Sequence, residues 1–82
     1  MITVTYFGNL KDLLQLTEEQ ISWEGGDTEV LLTQLRDRGA LWAEALAPEN
    51  IFRIVVNEEM TFEPTVLNVG DRVALLPPVT GG

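Results

Sequence analysis

The sequence lacks most of the side chains that small enzymes use for covalent or metal chemistry. Its 82 residues include no cysteine and no histidine, and Ser22 is the only serine. These absences exclude a disulfide scaffold, zinc sites built from soft ligands, and nucleophile pairs of the Ser-His or Cys-His type. Lys11 is the only lysine, and no glycine-rich loop leads into a Lys-Ser or Lys-Thr pair, so there is no P-loop. We therefore expect no metal site and no self-sufficient active site.

Positive charge is also scarce, because five basic residues face thirteen acidic ones and give a formal net charge of −8. Nucleic acid phosphates would be repelled by such a surface, so we expect no nucleic-acid partner. No stretch approaches the roughly 20 apolar residues of a membrane span, so no membrane association is expected. The lack of cysteine fits a reducing compartment, and we expect a cytoplasmic protein.

The first quarter of the sequence predicts two strands separated by a short helix. Alternation over residues 1–7 indicates a strand that turns the even positions of Ile2–Tyr6 toward the core and Phe7 to the other face. Asn9 is a candidate cap for the short helix that follows. Residues 20–23 then predict a second strand, antiparallel to the first.

The remaining sequence predicts one main helix and a further set of strands. The helix is expected over residues 29–38, with Asp27 or Thr28 as its cap and Gly39 as its C-terminal stop. A second helical segment should end before Pro48. Strands are expected in residues 51–57, 60–63 and 72–76, the last of them apolar enough to be covered on both faces.

This element order predicts an α+β fold, specifically a ubiquitin-like β-grasp. We expect a mixed sheet of four to five strands with one main helix packed across it. Residues 1–76 would form the domain, and residues 77–82 would form a flexible C-terminal tail that ends in Gly-Gly.

The tail sequence predicts an extended arm. Pro77 and Pro78 donate no N–H, so the last strand cannot continue its pairing beyond them. Val79 and Thr80 extend the arm, and Gly81-Gly82 carries no side chain, so only backbone needs to fit at the tip. Six residues could reach roughly 20 Å.

The chemical group at the tip would be the α-carboxylate of Gly82. A carboxylate becomes a good electrophile when an enzyme converts it to an acyl-adenylate. A sulfur nucleophile could then displace AMP and leave a thiocarboxylate, whereas an amine could displace it and leave an amide. The residues alone allow both outcomes, and they also allow an inert end with incidental glycines.

The stretch "LNVGDRVALLPPVTGG", residues 67–82, resembles the C-terminal signature of the small subunit of molybdopterin synthase. That signature joins a Gly-Asp turn, an apolar strand, Pro-Pro-Val and a terminal Gly-Gly. The segments "ITVTYFGNLKDLL", "LWAEAL" and "IVVNEE" are more loosely similar to the same family.

The resemblance implies a sulfur carrier that binds no cofactor itself. An E1-like enzyme would use ATP to adenylate Gly82, and a sulfur donor protein would then supply the sulfur of a terminal thioglycine. The large synthase subunit, in a heterotetramer, would receive the tail and supply the catalytic side chains. Sulfur would pass to cyclic pyranopterin monophosphate and form the dithiolene of molybdopterin.

The resemblance also implies a docking surface beside the tail. Phe7, Met60 and Leu76 would form an apolar patch on the outer face of the sheet, and the large subunit would cover it. The tail residues expected to enter that subunit are Pro77, Pro78, Val79, Thr80 and Gly81, with Gly82 at the reacting end.

Three other functions remain open from the sequence. A thiamine-type sulfur carrier would share the fold and the Gly-Gly end, although "PPVTGG" fits the molybdopterin type better. A ubiquitin-like modifier would form amide links to lysines. An adaptor would keep its activity after deletion of Gly81-Gly82.

Overall fold

The computed structural model describes residues 1–47 and 52–77. The described helices and strands, in chain order, are β1 (Ile2–Tyr6), α1 (Gly8–Leu14), β2 (Glu18–Ile21), α2 (Thr28–Arg36), α3 (Ala40–Ala45), β3 (Arg53–Val56), β4 (Glu59–Thr61) and β5 (Arg72–Leu76). The strands form one sheet in the order β2-β1-β5-β3-β4. β1 and β5 are parallel, and the other described neighbours are antiparallel. The predicted α+β β-grasp with a mixed sheet is confirmed, and α2 is its longest described helix.

The core lies between one face of the sheet and the helices. On β5, Val73 and Leu75 are buried, while Arg72 is exposed and Ala74 is half-buried. The prediction that this strand is covered on both faces is therefore wrong, because the helices pack against one face only. The buried side chains that the three helices contribute to the core are Thr28, Leu10, Leu14, Leu31, Leu32, Leu35 and Ala45.

Helix α2 has its predicted cap at Asp27, but it begins one residue and ends two residues earlier than predicted. The Asp27 carboxylate accepts a hydrogen bond from the Val30 backbone N–H at 3.0 Å, which satisfies one of the free donors of the first turn. The helix ends at Arg36, and Gly39 is the residue that precedes α3 rather than the stop of α2. The prediction for Gly39 is wrong because α2 already ends at its C-cap Asp37, and Gly39 is the N-cap of α3.

The capping prediction at Asn9 is also wrong. Helix α1 begins at Gly8, and the backbone C=O of Phe7 accepts from the N–H groups of Leu10 and Lys11 at 3.2 and 3.4 Å. Phe7 is therefore the N-cap residue, no side chain caps the first turn, and Asn9 lies inside the helix.

Strand β2 lies two residues earlier than predicted, because Trp23 has a different role. Ile2 pairs with Ile21, after which the chain leaves the sheet. Trp23 is buried, and its indole N–H donates to the Leu67 carbonyl at 2.9 Å, which joins this segment to the loop before β5. A buried indole that satisfies its only donor this way anchors the loop rather than extending the strand.

A two-residue turn fixes the register of the β3–β4 hairpin. Asn57 and Glu58 both have positive φ, at 51° and 70°, which is the pattern of a type I′ turn. The turn pairs Val56 with Glu59 and Val55 with Met60. Because side chains alternate along a strand, this register decides the face on which Met60 lies. Within the described parts of the chain, no helix is long and apolar enough to cross a lipid bilayer.

Candidate functional site

The candidate site is the sheet face opposite the helices, which we call the open face. Cross-strand pairing places its residues in rows, with Thr5, Ala74, Val55 and Met60 side by side across four strands. The open-face residues considered below are Thr5, Phe7, Arg53, Val55, Met60, Arg72, Ala74 and Leu76.

The structure brings Phe7, Met60 and Leu76 onto this one face. Phe7 is 46% exposed and Met60 is 43% exposed, while Leu76 is half-buried. The Phe7 N–H donates to the Leu75 carbonyl at 3.1 Å, which places Phe7 beside Leu76. Met60 lies one row away, opposite Val55. The three side chains thus share a face as expected, and their part in binding a partner stays a prediction.

A shallow depression of about 230 Å³ lies within the open face. Phe7 stands at one end and Arg72 at the other, with Val55 and Ala74 between them. Its remaining lining residues are Thr5, Glu58 and Val73. The depression is large enough for one or two side chains of a partner and too shallow to enclose a small molecule.

The first tail residue, Pro77, lies against the start of α1 just after β5 ends. Strand β5 ends at Leu76, as the following prolines predict. Gly8 has a φ of +55°, and a Cβ at this position would lie 2.7 Å from Cγ of Pro77. Only glycine permits both the backbone conformation and this close approach. Gly8 therefore seats the first tail residue beside the open face, a role that its place in the sequence as a strand breaker did not reveal.

The predicted tail residues beyond Pro77 cannot be located with the rest of the site. Pro78, Val79, Thr80, Gly81 and Gly82 lie outside the described residues. The described chain ends at a half-buried Pro77, one residue after Leu76 of the proposed patch. The described part of the chain therefore ends at the edge of the open face.

The covered face carries a polar cluster at its rim that no sequence pattern predicts. The Glu19 carboxylate accepts both guanidinium N–H groups of Arg38, at 2.7 and 2.8 Å, and the hydroxyl of Tyr6 at 2.6 Å. The Arg38 guanidinium lies 4.6 Å from the centre of the Trp42 ring, which meets the Tyr6 ring edge-on. These contacts join residues from β1, β2 and the segment after α2, so no local spacing encodes them.

Ionisation in this cluster follows from its contacts. Burial, followed by the hydrogen bond to Glu19, raises the pKa of Tyr6 and keeps its hydroxyl a donor. Burial alone would raise the pKa of Glu19, but the hydrogen bonds from Arg38 and Tyr6 outweigh it and lower that pKa. The Glu19 hydrogen bond in turn raises the pKa of Arg38. The cluster therefore stabilises an ionised pair and offers no group poised for proton transfer near neutral pH.

The ThiS family matches residues 4–82 of the sequence. The chain belongs to the ThiS family. Two relatives named molybdopterin synthase sulfur carrier subunit align with this ThiS-family chain over all 82 residues and over their own full lengths. The protein from Haemophilus influenzae is 30% identical, and the protein from Escherichia coli is 28% identical. The resemblance drawn from the C-terminal sequence is confirmed.

A solved structure shows the same fold in another organism. A putative molybdopterin converting factor, subunit 1, from Pyrococcus furiosus has a TM-score of 0.76 and 25% identity to this ThiS-family chain. The match covers 95% of this chain and 97% of the other. The β-grasp arrangement described above is therefore shared along nearly the whole length of both proteins.

Proposed function

We propose that the chain is the sulfur carrier subunit of molybdopterin synthase. In the first step, the Gly82 carboxylate attacks ATP on an E1-like enzyme, and pyrophosphate leaves as the acyl-adenylate forms. A hydrosulfide equivalent from a donor protein then attacks the acyl carbon, and the bond to AMP breaks. The product is a C-terminal thiocarboxylate, whose sulfur bonds to cyclic pyranopterin monophosphate. Water then breaks the acyl C–S bond and returns the Gly82 carboxylate, so each charged chain supplies one of the two dithiolene sulfurs. The observation that carries the proposal is the similarity, over all 82 residues, to proteins of that name.

The geometry of the described residues supports a carrier rather than a self-sufficient enzyme. The largest feature beside the tail is an open apolar face, and its depression of about 230 Å³ is shallow. A large synthase subunit that covers Phe7, Met60 and Leu76 would receive the tail from Pro77 onward and supply the catalytic side chains. We propose this pairing in a heterotetramer, in the cytoplasm where ATP is available for activation.

Intact-mass spectrometry tests the chemistry directly. The chain is incubated with ATP, its cognate E1-like enzyme and a sulfur donor, and we expect a mass increase that corresponds to one oxygen replaced by sulfur at Gly82. The matched control carries a single extra alanine after Gly82, which moves the carboxylate away from the position that the enzyme activates, and it should keep its mass.

Two results would contradict the proposal. One is an unchanged mass for the natural chain under conditions in which the E1-like enzyme converts an established carrier. The other is an extended variant that still restores molybdopterin formation in a strain without the natural subunit while its extension remains uncleaved. Amide conjugates on lysine side chains, with no thiocarboxylate, would indicate a protein modifier instead.

A further inference from the structure

The open face is closer to neutral than this strongly acidic protein as a whole, because two arginines accompany the carboxylates of Glu18 and Glu58 on it. All five basic residues lie in the described parts of the chain, and two of them, Arg53 and Arg72, project from this face. The remaining three lie elsewhere, on α1, at the end of α2 and in the segment after it. The surface next to the tail therefore differs in charge from a molecule whose formal net charge is −8.

Arg53 stands inside the apolar patch. It lies directly across from Leu76 in the β3–β5 pairing, and its guanidinium donates to the Met60 sulfur at 3.5 Å. Its stem therefore packs among apolar side chains while the side chain remains exposed. Arginine in such surroundings is among the residues that contribute most to protein interfaces, because a partner excludes water from the charged contact.

Arg72 lines the end of the depression that lies opposite Phe7. It lies four residues before Leu76 on the same face of β5, which is a separation of roughly 13 Å along the strand. Its backbone is fixed by Asn57, since the Asn57 side-chain oxygen accepts the Arg72 N–H at 3.0 Å and the Asn57 N–H donates to the Arg72 carbonyl at 2.8 Å. Glu58 lines the same depression as Arg72.

We propose that the large subunit presents an apolar projection flanked by two carboxylates. The projection fills the depression, and the carboxylates pair with Arg53 and Arg72. Arg72 lines the depression, and Arg53 lies outside its lining, across from Leu76, so the two separated cations would set the orientation in which the partner arrives and hence the direction of tail entry. Opposite charges placed this way raise the association rate and reject surfaces of the wrong sign. Arg53 contributes more than Arg72, because a carboxylate, that of Glu58, lines the depression together with Arg72, whereas Arg53 lies beside the apolar side chains of Leu76 and Met60. This inference rests on the proposed function, since it names the chemistry of the same partner.

Binding of the large subunit by surface plasmon resonance at low and high salt tests the inference. We expect Arg53→Gln to weaken binding about 10-fold and Arg72→Gln about 3-fold at low salt, with smaller differences at high salt because the ionic term is screened. Gln34→Glu is the matched control, since it makes the same change in net charge on the exposed surface of α2 and should bind like the natural chain.

The readouts separate this inference from the proposed function. Thiocarboxylate formation at Gly82, or sulfur transfer at saturating large subunit, should remain in both arginine variants. If the natural chain binds and the two variants bind equally well with the same salt dependence, the arginine inference is overturned while the proposed function stands. If the control loses as much affinity as Arg53→Gln, net charge alone is responsible and the inference is also overturned. If the natural chain does not bind the large subunit, both proposals fail.

Discussion

Side chains of a single strand alternate between the covered face and the open face of the sheet. Strand β5 shows the difference in burial between the two faces most directly. Leu75 is fully buried beneath the helices, whereas Leu76, its neighbour in sequence, is half-buried on the open face. Both are leucines in the same strand. They differ in whether the helices cover them. The comparison teaches that the apolar residues of the covered face stabilise the fold, while those of the open face remain available for a partner.

The largest expected effect separates these two leucines by their contribution to stability. Leu75→Ala should lower the free energy of unfolding by about 3 kcal/mol, because it removes buried contacts and leaves a cavity. Leu76→Ala should lower it by about 1 kcal/mol or less, because part of that side chain is already in water. Urea titration followed by tryptophan fluorescence measures both losses. Equal losses would show that the open face belongs to the stable core.

The second prediction tests the open face by partner affinity. Phe7→Asp should weaken binding of the large subunit about 100-fold, since a buried aromatic contact is replaced by a charge that must be desolvated. Leu13→Asp is the matched control, because Leu13 is 51% exposed on α1 and lies on the helical side of the sheet. Isothermal titration calorimetry measures both affinities.

The affinities of the two aspartate variants can be compared only if neither substitution destabilises the fold. Both aspartate variants should unfold in urea within about 1 kcal/mol of the natural chain, since both replaced side chains are about half exposed. An unchanged affinity for Phe7→Asp would remove Phe7 from the proposed docking surface. A loss of equal size for Leu13→Asp would show that the effect does not depend on the face.

Local patterns in the sequence were sufficient for most of the fold. Alternation in the first strand correctly placed Ile2, Val4 and Tyr6 toward the core and Phe7 on the opposite face. Two prolines correctly predicted the end of β5 at Leu76. These features could be predicted because each depends on neighbours one to four residues away.

Coverage and long-range contacts could not be predicted in the same way. The run from Val73 to Leu76 is entirely apolar. Such a run shows that the strand is hydrophobic, but it does not show whether helices cover one face of the sheet or both. The close approach of Gly8 to Pro77 joins two residues that are 77 − 8 = 69 positions apart, and the pairing of Glu19 with Arg38 spans nineteen positions. Such contacts depend on the order of strands in the sheet, which periodicity does not encode.

The smallest effect concerns the ionic rim of the covered face and its dependence on pH. Because the contacts of Glu19 lower its pKa below the ordinary value of 4.5, folding favours its ionised form. The resulting stability is present above that ordinary value and is lost as pH falls through the lower pKa of the folded state. Glu19→Gln should therefore lower the free energy of unfolding at pH 7 by about 1 kcal/mol, a small figure because Arg38 is 34% exposed.

Urea titrations from pH 7 down to pH 3 measure this contribution and assign it to one face. The natural chain should lose more stability than Glu19→Gln below about pH 4.5, so the difference between them should shrink with acidification. Glu18→Gln provides the matched control, since Glu18 is the preceding residue on β2 and points to the open face. Parallel pH profiles for the natural chain and Glu19→Gln would show that the rim pair does not stabilise the fold. If Glu18→Gln changes the pH dependence of stability more than Glu19→Gln does, the pH-sensitive stability lies on the open face and not at the rim of the covered face.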